Sequence, residues 1–206
     1  MTGQIALPLA ARGDGAPSRI VVGSGNAQVL EALAAAQTWP FRTAILAGPP
    51  RSGKSLIARW FVENGLGEAI DDADKVDETD LFHRWNRAQE QATPLLLVSG
   101  QGEGQWHIAL PDLASRLGAA LHLEIGPPDD AMLADLIDLH AEQRGLVLGF
   151  DSHTYLVPRC ERSYLGVAQL VATIDRLSLE RKAAPTLSIW RDALEEIMGP
   201  REPRLL

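Results

Sequence analysis

The chain has 206 residues, 46% of them hydrophobic, and 27 Asp and Glu against 19 Lys and Arg give a formal net charge of −8 at pH 7. That length buries a real core in one domain or one domain with a small companion, and the acidic surface repels nucleic-acid phosphate on average, so strong direct DNA binding is not expected. No run approaches 18 uninterrupted apolar residues, which argues against a membrane span; no signal-peptide pattern opens the chain, and the single Cys160 suits a reducing compartment, so a cytoplasmic location is expected.

In chain order, QIALPLA is compact and apolar, and ARGDGAPSR, with Gly13, Gly15 and Pro17, reads as a flexible tether. Residues 1–19 are therefore expected to form a tail. Asn26 is placed to cap an Ala-rich amphipathic helix from Ala27 to about Gln37. TAILA (Thr43 to Ala47) reads as a short buried strand, and a glycine-rich loop follows it. LIARWFVEN is helical, with Gly65 as its stop. EAID is a weak strand, Glu78 to Ala92 a polar helix, and LLLVS (Leu95 to Ser99) and LHLEI (Leu121 to Ile125) are strong strands. Strands alternating with helices imply a parallel sheet.

Beyond Pro127-Pro128 the strand signals stop. DDAMLADLIDLHAEQRG, DSHTYLVPRC, YLGVAQLVATIDRLSLERK and TLSIWRDALEEIMG read as helices, with Leu133, Leu136, Ile137, His140, Leu170, Ile174 and Leu177 spaced as core. The expected division is an α/β base over 20–127 and a small all-helical domain over 128–206. Arg176, Arg181 and Lys182 form a local basic group, which reads first as a solvated helix face. His83, His107, His122, His140 and His153 show no metal-ligand spacing with Cys160 or with each other.

GPPRSGKS, Gly48 to Ser55, satisfies G-x-x-x-x-G-K-[ST] in full, after a strand and before a helix. Backbone N–H groups from Arg51 to Ser55 then cradle phosphates at the helix start. Gly48, Pro49, Pro50, Arg51, Ser52, Gly53, Lys54, Ser55 and Leu56 are the expected nucleotide-binding residues. Lys54 reaches the β- and γ-phosphates, and the Ser55 hydroxyl ligates Mg²⁺. Hydrolysis further needs an acidic strand end, a group that orients water and an arginine. AIDDAD supplies Asp71, which would hold Mg²⁺ through water, and Asp72, where a water-activating carboxylate stands; a plain acidic loop is the competing reading. Ser99 ends LLLVS where it could orient water or a γ-phosphate oxygen.

LPDLASRL, Leu110 to Leu117, joins QIALPL, IVVGSGN, GPPRSGKS, AIDDAD, LLLVSG and LVATIDRL in a pattern that spans nearly the whole chain. Together they resemble the AAA+ replication-initiator family of bacteria (DnaA), above all its short regulatory branch (Hda, or HdaA in alphaproteobacteria). The resemblance implies an AAA+ base with a helical lid. Val21 and Val22 would line the adenine pocket, and Arg116 would be an arginine finger acting on nucleotide held by a neighbouring subunit. QIALPL resembles a β sliding-clamp motif, in which Gln4, Ile5, Leu7, Pro8 and Leu9 would bind, Gln4 in a polar part of the groove, Leu7 and Leu9 in its apolar cleft and Pro8 limiting the entropy lost on binding; an edge strand folded onto the base domain is the competing reading. The tether from Ala10 to Arg19 spans about 17 Å on average.

Two departures from the family pattern carry expectations of their own. The interval from Ser55 to Asp71 lacks room for a further strand and helix, which leaves a four-stranded sheet in the order LHLEI, TAILA, LLLVS, EAID. The lid arginine expected just ahead of Leu170 is absent, since Ala168 and Gln169 stand there; Arg162 or Arg176 would have to substitute, and self-hydrolysis is correspondingly weak. The implied function is regulatory. With ADP or ATP bound, and Mg²⁺, the chain docks on the DNA-loaded clamp and promotes hydrolysis of DnaA-bound ATP, with self-association through AAA+ or tail contacts also open. A stand-alone P-loop ATPase or small-molecule kinase, and an adaptor with a vestigial nucleotide site, are the alternatives.

Overall fold

The structure is a computed structural model and describes residues 19–100 and 106–199. Gln4, Ile5, Leu7, Pro8 and Leu9 and most of the tether lie outside the described residues. The chain divides into two compact units: Ser24–Gly126 is one, and the helices from Pro127 onward, with the segment leading up to Gly23, form the other.

The first unit is built on four parallel strands, β1 (Thr43–Ala47), β2 (Glu68–Ile70), β3 (Leu95–Val98) and β4 (Leu121–Glu124), in the order β2-β3-β1-β4. This is the expected order read from its other edge. Thr43 pairs with Leu95, Ala44 with Leu121 and Glu68 with Leu95, so all four carboxyl ends emerge at one margin of the sheet. The two central strands, TAILA and LLLV, are buried at every position, as unbroken apolar runs in a parallel sheet must be. Edge strand β4 instead alternates between half-buried and exposed positions.

Helices α1 (Ala27–Ala34), α2 (Lys54–Glu63), α3 (Glu78–Glu90) and α4 (Pro111–Gly118) complete this unit. Helix α1 stops three residues before the expected end, and a separate 3-10 turn covers Ala36–Thr38; an Ala-rich run has strong propensity but no stop signal. Asn26 occupies the position ahead of α1 without making a side-chain capping bond to its first turn. Helix α2 ends as its sequence implies. Gly65 adopts φ +66, and the Leu66 N–H donates to the Phe61 carbonyl, a left-handed cap that glycine takes without steric cost. Asp77 caps α3 by accepting the N–H of Thr79 and Asp80. Leu81, Trp85 and Ala88 of α3 and Leu113 and Leu117 of α4 pack with Ile45, Leu95 and Leu97 on one face of the sheet. Helix α2 packs on β2 and β3.

The second unit consists of α5 (Asp130–Gln143), α6 (Ser152–Leu156), α7 (Tyr164–Arg181) and α8 (Leu187–Met198). Asp129 and Ser163 cap α5 and α7 through the N–H groups of Met132 and Gly166. Leu133, Leu136, Ile137, Leu170, Ile174 and Leu177 are all buried, so the helical spacing does mark core there, whereas His140 is only half-buried, its imidazole lying against Gln143 Oε1 at 3.4 Å. Helix α6 is shorter than DSHTYLVPRC suggested: it ends at Leu156, and although Val157 keeps helical φ/ψ, Pro158 has no N–H to continue the helix. Arg19 pairs with Glu142 at 3.1 Å. A Cβ on Gly23 would lie 2.9 Å from that of Met132, so the 19–23 segment is fitted against α5. No helix among the described residues is long and apolar enough to cross a membrane.

Candidate functional site

Three segments implied in nucleotide chemistry leave the carboxyl ends of adjacent strands: Gly48 after β1, Asp71 after β2 and Ser99 after β3. Ligands of open parallel sheets bind at this margin, where helix N-termini point and backbone donors are unpaired. The Ser99 N–H donates to the Leu46 carbonyl at 2.9 Å, and that of Ile125 to Ala47 at 3.0 Å, which fixes the exits of β3 and β4 around β1.

In the expected phosphate loop one of the cradle donors is engaged internally, since the Ser52 N–H donates to the Pro49 carbonyl at 3.3 Å. Gly48 takes φ +154, and a Cβ there would lie 2.8 Å from that of Ile125, so only glycine passes beneath the end of β4. Helix α2 begins at Lys54 with no side-chain cap. Its first-turn N–H groups have no intrahelical acceptor, so they suit an anion. The Ser52 hydroxyl is buried without a hydrogen-bond partner, although the residue sits inside a polar loop. Lys54 Nζ donates to the carbonyls of Gly48 at 2.7 Å and Pro49 at 3.0 Å. Burial lowers the Lys54 pKa below the ordinary lysine value, and the carboxylates of Asp71, Asp72 and Asp74 oppose that shift. An ammonium held partly out of water by two neutral carbonyls gains from an anionic oxygen, since charge-assisted hydrogen bonds are about twice as strong as neutral ones. These residues fit the phosphates of a nucleotide. Leu56 is buried in the first turn of α2, behind the loop.

The acidic segment is partly engaged elsewhere. Asp71 is exposed, and its Oδ1 accepts the Asp72 N–H at 3.1 Å. Asp72 is also exposed, has left-handed φ +49, and its carboxylate pairs with Lys75 at 3.0 Å. Ser55 and Asp71 are exposed oxygen donors, the chemistry a hard cation such as Mg²⁺ takes. The next acidic residue, Asp74, was not singled out by the sequence. Its Oδ1 accepts the Gly100 N–H at 3.0 Å and so ties the AIDDAD turn to the end of β3, next to the buried Ser99.

In the helical unit Val21 and Val22 are half-buried, beside the buried Ile20. Both arginines weighed as substitutes for the missing lid arginine are held by carboxylates. Arg162 pairs with Asp130, and Arg176 pairs with Glu180 at 2.9 Å and Glu196 at 2.5 Å. Arg181 pairs with Asp192. Two of the three members of the basic group, Arg176 and Arg181, are thus paired on the helix face, and Lys182 stands just past the end of α7.

Arg116 lies in the last turn of α4, half-buried. Its guanidinium carbon stands 4.7 Å from the Phe82 ring centroid and 4.4 Å from that of Trp85, and Nη1 donates to Asn86 Oδ1 at 2.6 Å. Phe82, Trp85 and Asn86 all come from α3, and none was anticipated. Their spacing marks one face of that helix, but the sequence alone does not say what the face meets. No carboxylate among the described residues forms an ion pair with Arg116.

No protein-family model matches the chain. Among solved structures, domain III of the Thermotoga maritima replication initiation protein DnaA matches with a TM-score of 0.70 at 15% identity, covering 87% of this chain and 95% of that domain. AMPPCP-bound DnaA from Aquifex aeolicus gives 0.56 at 16% identity over 79% of this chain and 65% of that one. The Thermotoga maritima RuvB Holliday junction branch migration motor gives 0.60 at 17% identity over 85% of this chain and 70% of that one. This chain therefore spans nearly all of the DnaA domain III but about two thirds of the longer DnaA structure. Identities this low speak for architecture alone, and the architecture shared with these structures is the AAA+ fold: among the described residues, a four-stranded parallel α/β base and a helical part.

Proposed function

We propose that this chain is a regulatory AAA+ protein that holds an adenine nucleotide, ADP or ATP with Mg²⁺, and lends Arg116 to ATP bound on the initiator DnaA. Residues 4–9 dock it on the DNA-loaded β sliding clamp in the cytoplasm, and the stimulated hydrolysis switches initiation off. The observation that carries this reading is the contrast between Arg116 and the two lid arginines weighed for contact with the nucleotide. Arg162 and Arg176 of the helical unit are neutralised by carboxylates, whereas Arg116 keeps its charge among neutral partners: two rings and an amide. A guanidinium with uncompensated charge can stabilise the charge building on a transferred phosphoryl group, and such a finger supplied in trans is worth 10³ to 10⁵ in rate.

The protein's own nucleotide plays a holding role in this account. The phosphate loop offers donors for a nucleotide, while Asp72 is turned to Lys75 and the lid supplies no uncommitted arginine among Arg162 and Arg176. Ser55 and Asp71 would bind the cation, which screens phosphate charge when bound. Asp74 and Ser99 fix the neighbouring strand end. The test is hydrolysis of labelled ATP bound to DnaA, with clamp loaded on DNA, in the presence and absence of this protein. Acceleration that requires both clamp and protein is expected. Turnover of free ATP by the protein alone, with no effect on the initiator, would instead identify a stand-alone ATPase.

A further inference from the structure

Helix α4 starts without a side-chain cap of its own, with Leu110 ahead of Pro111. The capping role falls to Glu78, from the start of α3. Its Oε1 accepts the Ala109 N–H at 2.8 Å and its Oε2 the Leu110 N–H at 2.7 Å. Both oxygens of one carboxylate are thus given to the two donors that lead into α4, where a negative charge is also favoured by the helix dipole. Four, seven and eight residues further along, the same helix brings Phe82, Trp85 and Asn86 to Arg116. One helix therefore grips the other at both ends, at its entry through Glu78 and at its last turn through the rings and the amide. Leu113, between the two grips, and Leu117, just past the second, are buried in the same core cluster as Leu81 and Trp85.

We infer that Glu78 and Asn86 are positioning residues for Arg116, an inference that rests on the proposed role of Arg116 in trans. Glu78 sets where α4 begins. Asn86 holds one edge of the guanidinium at Nη1 and so fixes the rotation of the plane within the slot between Phe82 and Trp85. The donors that Asn86 does not use are then held in a defined orientation for a phosphoryl oxygen on a companion molecule. The slot selects a planar cation, because a guanidinium stacks on rings where an ammonium presents a point charge. Neither Glu78 nor Asn86 touches the reacting atoms; each acts through Arg116.

The experiment compares full-length wild type, Glu78→Ala, Glu78→Gln, Asn86→Ala and Arg116→Ala in stimulating hydrolysis of DnaA-bound ATP on clamp-loaded DNA. Amide hydrogen exchange is followed on the same samples. Glu78→Ala and Asn86→Ala should lower the maximal stimulated rate by about 10- to 100-fold, the penalty typical of a misplaced reacting group, with the half-maximal concentration unchanged. Glu78→Gln, which keeps one acceptor oxygen, should recover part of the rate. The Ala109 and Leu110 amides should exchange faster in Glu78→Ala while Ile45 and Leu46 of β1 keep wild-type protection, which shows that the fold is intact. If Glu78→Ala is unstable, Asn86→Ala, which removes one half-buried hydrogen bond and no helix cap, decides the matter. Wild-type maximal rates in both alanine variants, with the Ala109 and Leu110 amides loosened, would overturn the assignment and leave the role of Arg116 standing. So would a changed half-maximal concentration at constant maximal rate, because that describes a docking surface. Failure of wild type to stimulate, or full stimulation by Arg116→Ala, would remove the underlying reading and this inference with it.

Discussion

Lys54 is where local electrostatics and ligand binding meet most directly. Its Nζ is satisfied by two carbonyls of its own loop, and in the proposed nucleotide complex a phosphate would replace those neutral acceptors with charged ones. Lys54→Ala is expected to weaken nucleotide binding by about 1.5–3 kcal/mol, roughly 10- to 150-fold in Kd, as measured by calorimetry. Burial also imposes a pH dependence. The folded state releases the Lys54 proton at lower pH than the unfolded chain, so the unfolded state binds more protons across that window, and this residue's contribution to stability rises as pH increases through it. Nucleotide binding has the opposite slope, because phosphate favours the charged amine. Affinity should fall as pH climbs through the lowered pKa, below the ordinary lysine range. Lys54→Arg, which stays charged, should flatten that dependence; an identical slope in wild type and Lys54→Arg would refute the assignment.

At the scale of elements, the sheet was largely legible. TAILA and LLLV are unbroken apolar runs between turn signals, and both became fully buried central strands. The short interval from Ser55 to Asp71 left no room for a fifth strand, and the sheet has four. What remained hidden was tertiary. Glu78 and Asn86 look like ordinary surface residues of a polar helix until α4 is placed against them, 31 and 30 residues along the chain. Asp74 is likewise just one of several acids until the Gly100 N–H reaches it. In the helical unit, Tyr164 at the start of α7 is buried against α5, where its hydroxyl donates to Met132 Sδ at 3.6 Å. Burial, and to a lesser extent the Asp129 carboxylate, pushes its pKa up to about 12. A raised folded-state pKa stabilises below the unfolded value and loses that contribution as pH rises toward the folded one. Thermal unfolding should therefore show stability declining from about pH 10 to 12 in wild type, with a shallower decline in Tyr164→Phe.

At the scale of the whole molecule, the account assigns separate tasks to separate parts. As proposed, the phosphate loop would hold a nucleotide, the α3–α4 pair carries Arg116, and residues 4–9 would bring the protein to its site of action. These tasks should separate experimentally. Replacing Gln4 and Leu7 with Ala is expected to abolish clamp binding in a pull-down with purified β clamp and leave nucleotide affinity unchanged. Loss of both would make the amino-terminal segment part of the nucleotide-binding fold. The most direct measurement is single-turnover hydrolysis of DnaA-bound ATP on clamp-loaded DNA, with wild type and with Arg116→Ala. The account predicts that wild type accelerates hydrolysis, and that the variant binds clamp and nucleotide normally yet leaves hydrolysis at its unstimulated rate. Equal acceleration by the two proteins would contradict it.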